Sequence, residues 1–194
     1  MTKKNDKSNH VVLVTPQGES IGSCEKLEAH QKGFLHRAFS LMIVRESDKG
    51  LEYLLQRRAF DKYHSGGLWS NTCCSHPKLG ESALDAVQRR VGEELGIYQR
   101  LKTIPLKPLL YKAKLERGLT EFEYDHVFFS TDKLEHFEVN SDEISETKWW
   151  LQEDIEGHMK THKTEFTAWF PLVFEKIKLE IEAKKGALNY QRAP

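Results

Sequence analysis

Apolar and polar positions divide the chain into a strand-rich part and a few helical stretches. Apolar residues run through 11–14, followed by turn chemistry at Pro16-Gln17-Gly18 and a second short strand over 20–25. The runs 36–44 and 51–56 have strand character and flank Glu46-Ser47-Asp48-Lys49-Gly50, a hairpin signal. Residues 65–80, rich in Gly, Asn, Ser and Pro, follow neither period, and a loop of that length is usually functional or disordered. From Ser82 the period changes to 3.6, with Leu84, Val87, Val91 and Leu95 in one stripe and Gly96 where a left-handed cap is wanted. Residues 109–115 and 121–130 read as strands around a turn at Arg117-Gly118, 144–151 as another strand, and 152–160 and 166–184 as helices. The pattern predicts one α+β domain over residues 1–194, a mixed β-sheet flanked by helices, with flexible tails at 1–9 and 185–194.

Composition narrows the partners. The chain of 194 residues is 39% apolar, enough for a sizeable core, and its 29 basic and 29 acidic residues cancel. No bulk field draws it to nucleic acid or an anionic membrane, so any anion is held by local clustering. Its apolar runs fall far short of the roughly 20 residues of a membrane span. The N-terminal segment is polar, unlike a secretory signal, and a cytoplasmic chain is expected. Three cysteines, with Cys73 and Cys74 adjacent and Cys24 distant, do not make a disulfide framework, and a free thiol is expected.

Four clusters could carry chemistry. In Glu121-Phe122-Glu123-Tyr124-Asp125, residues two apart on a strand share a face, so Glu121 and Glu123 could bind one hard cation or divide into an acid and a base, or form a solvated strand face. In the loop Asn71-Thr72-Cys73-Cys74-Ser75-His76-Pro77, a cysteine two residues from a histidine can be a tuned thiol or a small buried apolar group. His30 and His36 flank Gly33, and imidazoles mixed with Glu oxygens suit manganese, zinc or magnesium. The other histidines, His64 included, read as structural or exposed. Arg57, Arg58 and Lys62, with Arg89 and Arg90 on the helix, are candidate phosphate clamps or solvated faces.

The helix ends in Glu93-Glu94-Leu95-Gly96-Ile97, with Arg89 before it and Glu81 further upstream, and resembles the Nudix box. Ser75 stands where the box has glycine, and Arg90 replaces a glutamate needed for metal-assisted hydrolysis. Together with Leu35-His36-Arg37-Ala38-Phe39-Ser40, the Cys74 loop and Glu121-x-Glu123, the box resembles the type I isopentenyl-diphosphate Δ-isomerases, a Nudix-fold family, over residues 26–169. The resemblance implies that Cys74 and Glu123 are catalytic, that Tyr111 lies beside Glu123, and that His30, His36, His76, Glu121 and Glu123 hold magnesium or manganese, or zinc. It implies that Glu94 helps hold a second magnesium on the diphosphate, that Lys26, Arg58, Lys62 and Arg90 bind that diphosphate, and that no flavin takes part. Trp169, with Ala168 where the family has Pro, resembles the family's active-site tryptophan, while Trp69 is either a second pocket wall or core. The expected partner is a small diphosphate, acted on by a monomer or homodimer.

The chemistry so implied is the interconversion of isopentenyl and dimethylallyl diphosphate. An unactivated alkene is protonated, a tertiary carbocation forms, and a proton leaves another carbon. Two rival readings are a Nudix hydrolase of a nucleoside diphosphate derivative and a binding module that holds a diphosphate without reacting. Arg90 argues against the first. Cys74, His76, Glu121 and Glu123 argue against the second.

Overall fold

The longest strand, β3 (His36–Ser47), is apolar on both faces, and the rest of the chain is arranged to cover it. In the computed structural model, residues 9–134 and 136–191 are described, with side chains as far as Lys184. Ahead of β3 come β1 (His10–Val14), β2 (Ser20–Glu25) and α1 (Lys26–Lys32). After it follow β4 (Gly50–Arg58), β5 (Trp69–Ser70), β6 (Cys73–Ser75) and α2 (Ala83–Leu95). The second half holds β7 (Thr103–Pro105), β8 (Leu109–Lys114), β9 (Thr120–Ser130), β10 (Ile144–Leu151), α3 (Gln152–Thr161) and α4 (Phe170–Gln191).

The strands form one mixed sheet with the path β10-β4-β3-β1-β2, and β9 runs parallel to β3 while pairing antiparallel with β7 and β8. Alternation along β3 sends Phe39, Leu41 and Ile43 to the side covered by α2, where they meet Val87, Val91 and Leu95. Met42 and Val44 point to the opposite side, where Phe170, Val173, Phe174 and Ile177 of α4 pack at helical spacing. Each of these fully buried side chains contributes about 1.5–3 kcal/mol relative to exposure. The sheet is thus held between α2 and α4, the mixed sheet with flanking helices that the pattern predicts.

Helix α2 starts where Ser82 Oγ accepts from the Asp85 backbone N–H and ends at Gly96, whose φ of 64° is left-handed. A Cβ there would lie 2.7 Å from the Glu138 carbonyl oxygen, so the position needs glycine. Leu84, expected in the buried stripe, is 38% exposed because the face turned to the sheet in the first turns is that of Ala83 and Ala86.

Several elements differ from the sequence expectation. Residues 26–32 form α1, with Glu25 capping the Glu28 N–H and Gly33 as the left-handed cap. The stretch 65–80 contains two short strands, β5 against β4 and β6 against β3, pinned by the fully buried Asn71 and Thr72. Asn71 Nδ2 donates to the Leu41 and Cys73 carbonyls, and Thr72 Oγ1 donates to the Leu54 carbonyl at 2.5 Å. Strand β7 was not predicted. Helix α4 starts at Phe170 rather than 166, because Phe166 bridges to Trp69 and the Thr167 N–H donates to the Trp69 carbonyl. The helix continues through 185–191, which were expected to be tail. The other tail positions, 1–8 and 192–194, lie outside the described residues. Among the described residues no helix is long and apolar enough to cross a membrane.

Candidate active site

The parallel pairing of β3 and β9 sets His36 opposite Glu123. On the neighbouring edges, α1 brings in His30, and the chain just past β6 brings in His76. One ligand atom from each of His30, His36, His76 and Glu123 lies within 4.8 Å of the others. His30 Nδ1 faces the Lys26 carbonyl at 2.7 Å and His36 Nδ1 faces the Phe34 carbonyl at 2.8 Å. A carbonyl can only accept, so each Nδ1 carries the proton and each Nε2 presents a lone pair to the site. Both Nε2 atoms are buried without a hydrogen-bond partner. Burial lowers the pKa of His30 and brings His76 down to about 4, which keeps these imidazoles neutral. Neutral imidazoles with orphaned lone pairs beside a carboxylate are a donor set that fits a divalent cation.

Strand β9 carries its carboxylates on one face, as the alternation predicted, and that face is buried and continues to Asp125. Burial works to raise the pKa of Glu123, but the imidazoles of His36 and His76, at 3.5 and 3.0 Å from its Oε1, outweigh it and hold the group ionised. At Glu121, burial is reinforced by the charge of Glu123, and the carboxyl is pushed toward its protonated form. Tyr111, on β8 directly opposite Glu123, donates its Oη–H to Glu123 Oε2 at 2.5 Å and lies 3.3 Å from Glu121 Oε2. Asp125, fully buried, accepts from Ser40 Oγ, and burial followed by the Glu123 charge raises it to about 8.

Cys74 and Cys73 point to opposite faces of β6. Cys73 is fully buried among the α2 core residues, whereas Cys74 opens into a cavity of about 320 Å³ that Glu121, Glu123 and His76 also line. Burial pushes the Cys74 thiol up to about 12, so its resting form is the protonated one.

Four cationic side chains, those of Lys26, Arg58, Lys62 and Arg90, also line the cavity. Arg90 Nη2 lies 2.5 Å from Glu94 Oε1 and Lys62 Nζ lies 2.6 Å from Glu143 Oε2, while Arg90 Nη2 is 3.3 Å from that Glu143 oxygen. Burial raises the pKa of Glu94 and Arg90 opposes it, and Gln56 Nε2 donates to the second oxygen. Arg89 instead turns to Glu81, which it grips through two nitrogens at 2.7 and 2.8 Å.

Trp169 reaches the cavity because α4 starts late. Its Nε1–H donates to Ser70 Oγ and Asn71 Oδ1, and the Arg58 guanidinium stands 5.6 Å from its ring centre. Trp69 packs edge-on against Trp150 in the core and does not line the cavity. Sequence reasoning missed three residues that the fold brings here: Asp125, Glu143 and His64. The alternation of β9 carried a signal for Asp125. His64 and Glu143 arrive on irregular segments whose course no local pattern encodes.

Comparison with known proteins comes to the same place. A family model described as the NUDIX domain matches residues 34–170. The isopentenyl-diphosphate Delta-isomerase of Aliivibrio fischeri strain ES114 is 46% identical over 172 residues, which cover 88% of this chain and 95% of that protein. The protein of the same name from Photobacterium profundum is 42% identical over 174 residues, covering 90% of this chain and 97% of that one. A crystal structure from Deinococcus radiodurans superposes with a TM-score of 0.66 at 16% identity over 86% of this chain and 98% of that one, a likeness of fold.

Proposed function

The chain belongs to the Nudix family and, within it, to the isopentenyl-diphosphate Δ-isomerases, and from that premise we propose that Cys74 and Glu123 carry out the double-bond shift between isopentenyl and dimethylallyl diphosphate. The observation that carries the assignment is that this thiol and this carboxyl, from strands on opposite sides of β3, open into one cavity that a His/Glu cluster and four cationic side chains also line.

In the forward direction, one of the two groups gives a proton to the terminal methylene carbon, and the alkene electron pair forms the new C–H bond. The tertiary carbocation left behind loses a proton from the carbon nearer the diphosphate ester to the other group. The electrons of that C–H bond become the new double bond, so the proton count is unchanged. The roles exchange in the reverse direction. Tyr111 orients Glu123 through its 2.5 Å hydrogen bond. The Trp169 ring presents a π face, and such a face is worth about 2 kcal/mol or more to a desolvated cation. The low exposure of Trp169 and Glu123 supports exclusion of water from the intermediate.

His30, His36, His76, Glu121 and Glu123 would hold the divalent cation, which we take to be magnesium, manganese or zinc. When bound, the ion fixes the orientation of Glu123 and tunes its acidity. Lys26, Arg58, Lys62 and Arg90 hold the diphosphate, and Glu94 contributes to a second magnesium carried in with it. Arg90, standing where hydrolytic relatives of this box need a carboxylate, suits an enzyme that must leave the diphosphate whole. The enzyme so described acts in the cytoplasm on a free small diphosphate, as a monomer or homodimer.

The test is incubation with isopentenyl diphosphate and magnesium in D₂O, followed by NMR. Dimethylallyl diphosphate with deuterium in a methyl group and no free phosphate is expected. Phosphate release without isomer would overturn the reading in favour of hydrolysis.

A further inference from the structure

His64 is 5% exposed, and its Nε2 lies 3.8 Å from Glu121 Oε1. Its Nδ1 is 3.3 Å from Ser65 Oγ, a hydroxyl that can accept from Nδ1–H and leave the Nε2 lone pair facing the carboxyl. Ligand atoms of His30, His64 and Glu121 lie within 4.8 Å of one another, all three residues buried. This second nest overlaps the first at His30. His30 has one free lone pair, because its other nitrogen is engaged with the Lys26 carbonyl, so it cannot bridge two ions.

The loop holds His64 in this position at a cost. Ser65, next in the chain, has φ of 52° although it is not glycine, and its N–H donates to a Glu116 carboxylate oxygen. Gly66 leaves no room for a side chain, since a Cβ would lie 2.5 Å from the Phe60 carbonyl oxygen. Arg58 Nη2 donates to the His64 carbonyl, and the Tyr63 ring packs edge-on against the imidazole at 4.4 Å. Strain of this kind persists only where the surroundings impose it. Here it turns an imidazole toward a carboxyl at the edge of a cation site.

We propose that His64 is a ligand, through Nε2, of the divalent cation held in this pocket. The ion draws on both nests at once. Four imidazole nitrogens, from His30, His36, His64 and His76, and one oxygen each from Glu121 and Glu123 make six donors, the number an octahedral manganese site requires, and a nitrogen-rich set that suits manganese better than magnesium. His64 also accounts for how Glu121 joins the ion. The two residues stand together outside the four-residue nest, and both are brought in by the same charge.

The inference rests on the cation reading given above, and manganese alone, without substrate, tests it. In a chelator-competition titration, His64→Ala should bind manganese at least about tenfold more weakly than wild type, in the range found when groups supporting a metal site are removed. Pulsed electron paramagnetic resonance of the manganese-loaded wild type, with ¹⁵N-labelled histidine, should count four coordinated imidazoles, and the variant three. The wild-type count decides the matter even if His64→Ala does not fold. Three imidazoles in wild type, or an unchanged affinity in a folded His64→Ala, would overturn the role of His64 and leave the isomerase assignment standing. Wild-type protein that binds no manganese would overturn the cation reading itself.

Discussion

Arg90 grips the buried carboxylate of Glu94 from one turn earlier on the same helix, with Nη2 at 2.5 Å and Nε at 2.9 Å from a single oxygen. The same Nη2 lies 3.3 Å from Glu143 Oε2, so one guanidinium serves two carboxylates. Removing one partner of a buried pair strands the other charge. Arg90→Ala is expected to lower unfolding free energy by about 3 kcal/mol in urea titrations. Millimolar magnesium should return part of that loss, because Glu94 then gains a replacement cation. Stability indifferent to both the substitution and magnesium would show that this pair carries no strain.

Glu123→Gln keeps the side chain's size but removes the ionisable group that His36 and His76 hold charged. Isomerisation should fall by a factor of about 10² to 10⁴, the range for loss of a general acid or base. Tyr111→Phe removes only the hydrogen bond that orients Glu123, and a smaller loss is expected, about tenfold at one lost hydrogen bond's worth of energy. Steady-state rates read beside circular-dichroism melts separate chemistry from folding. Equal losses in the two variants would remove the distinction drawn between proton transfer and positioning.

The thiol of Cys74 predicts an unusual pH profile. Because burial lifts it to about 12 from an ordinary value near 9, the thiolate is scarce at neutral pH. Alkylation of the Cys74 peptide by iodoacetamide should therefore rise about tenfold per pH unit from pH 8 to 11 without levelling near 9. The sign for stability follows. The folded group holds its proton more tightly than the unfolded one, so its contribution is complete below about pH 9 and is lost as pH climbs toward 12. Alkylation that saturates at pH 9 would contradict the burial argument.

Gly96→Ala meets the Glu138 carbonyl oxygen at 2.7 Å in a left-handed backbone. A loss of about 1–2 kcal/mol is expected from the backbone conformation alone, with more from the clash. Gly118→Ala, with a similar left-handed φ of 73° but nothing within 4 Å of the added Cβ, is the control for the close approach and should cost less. Thermal melts of the two variants give the comparison.

What could be read from sequence follows from the physics of each element. The 3.6-residue period and its Gly96 terminator made α2 legible, because burial and capping there depend on near neighbours. The two-residue period of β9 showed Glu121 and Glu123 on one face but not that the face is buried. That depends on β3 and on the histidines brought to it from elsewhere. Helix α1 has seven residues, too few to reveal a period, and its caps, Glu25 and Gly33, were the only signals. His64 looked like any other histidine, since its inward turn is decided by Ser65, Gly66 and Glu116. Motif resemblance carried the rest of the site. It placed Asn71 and Cys74 in one motif, although the first braces strands and the second faces the cavity.

The parallel register that sets His36 opposite Glu123 also bears on kinetics. These donors come from strands separated by nearly half of the chain, and parallel pairing of that kind forms late because its loop-closure cost precedes its reward. A divalent ion therefore finds its full set of donors only in a chain that has all but finished folding. It should act as a latch, slowing the escape from the native state while leaving the refolding rate nearly unchanged.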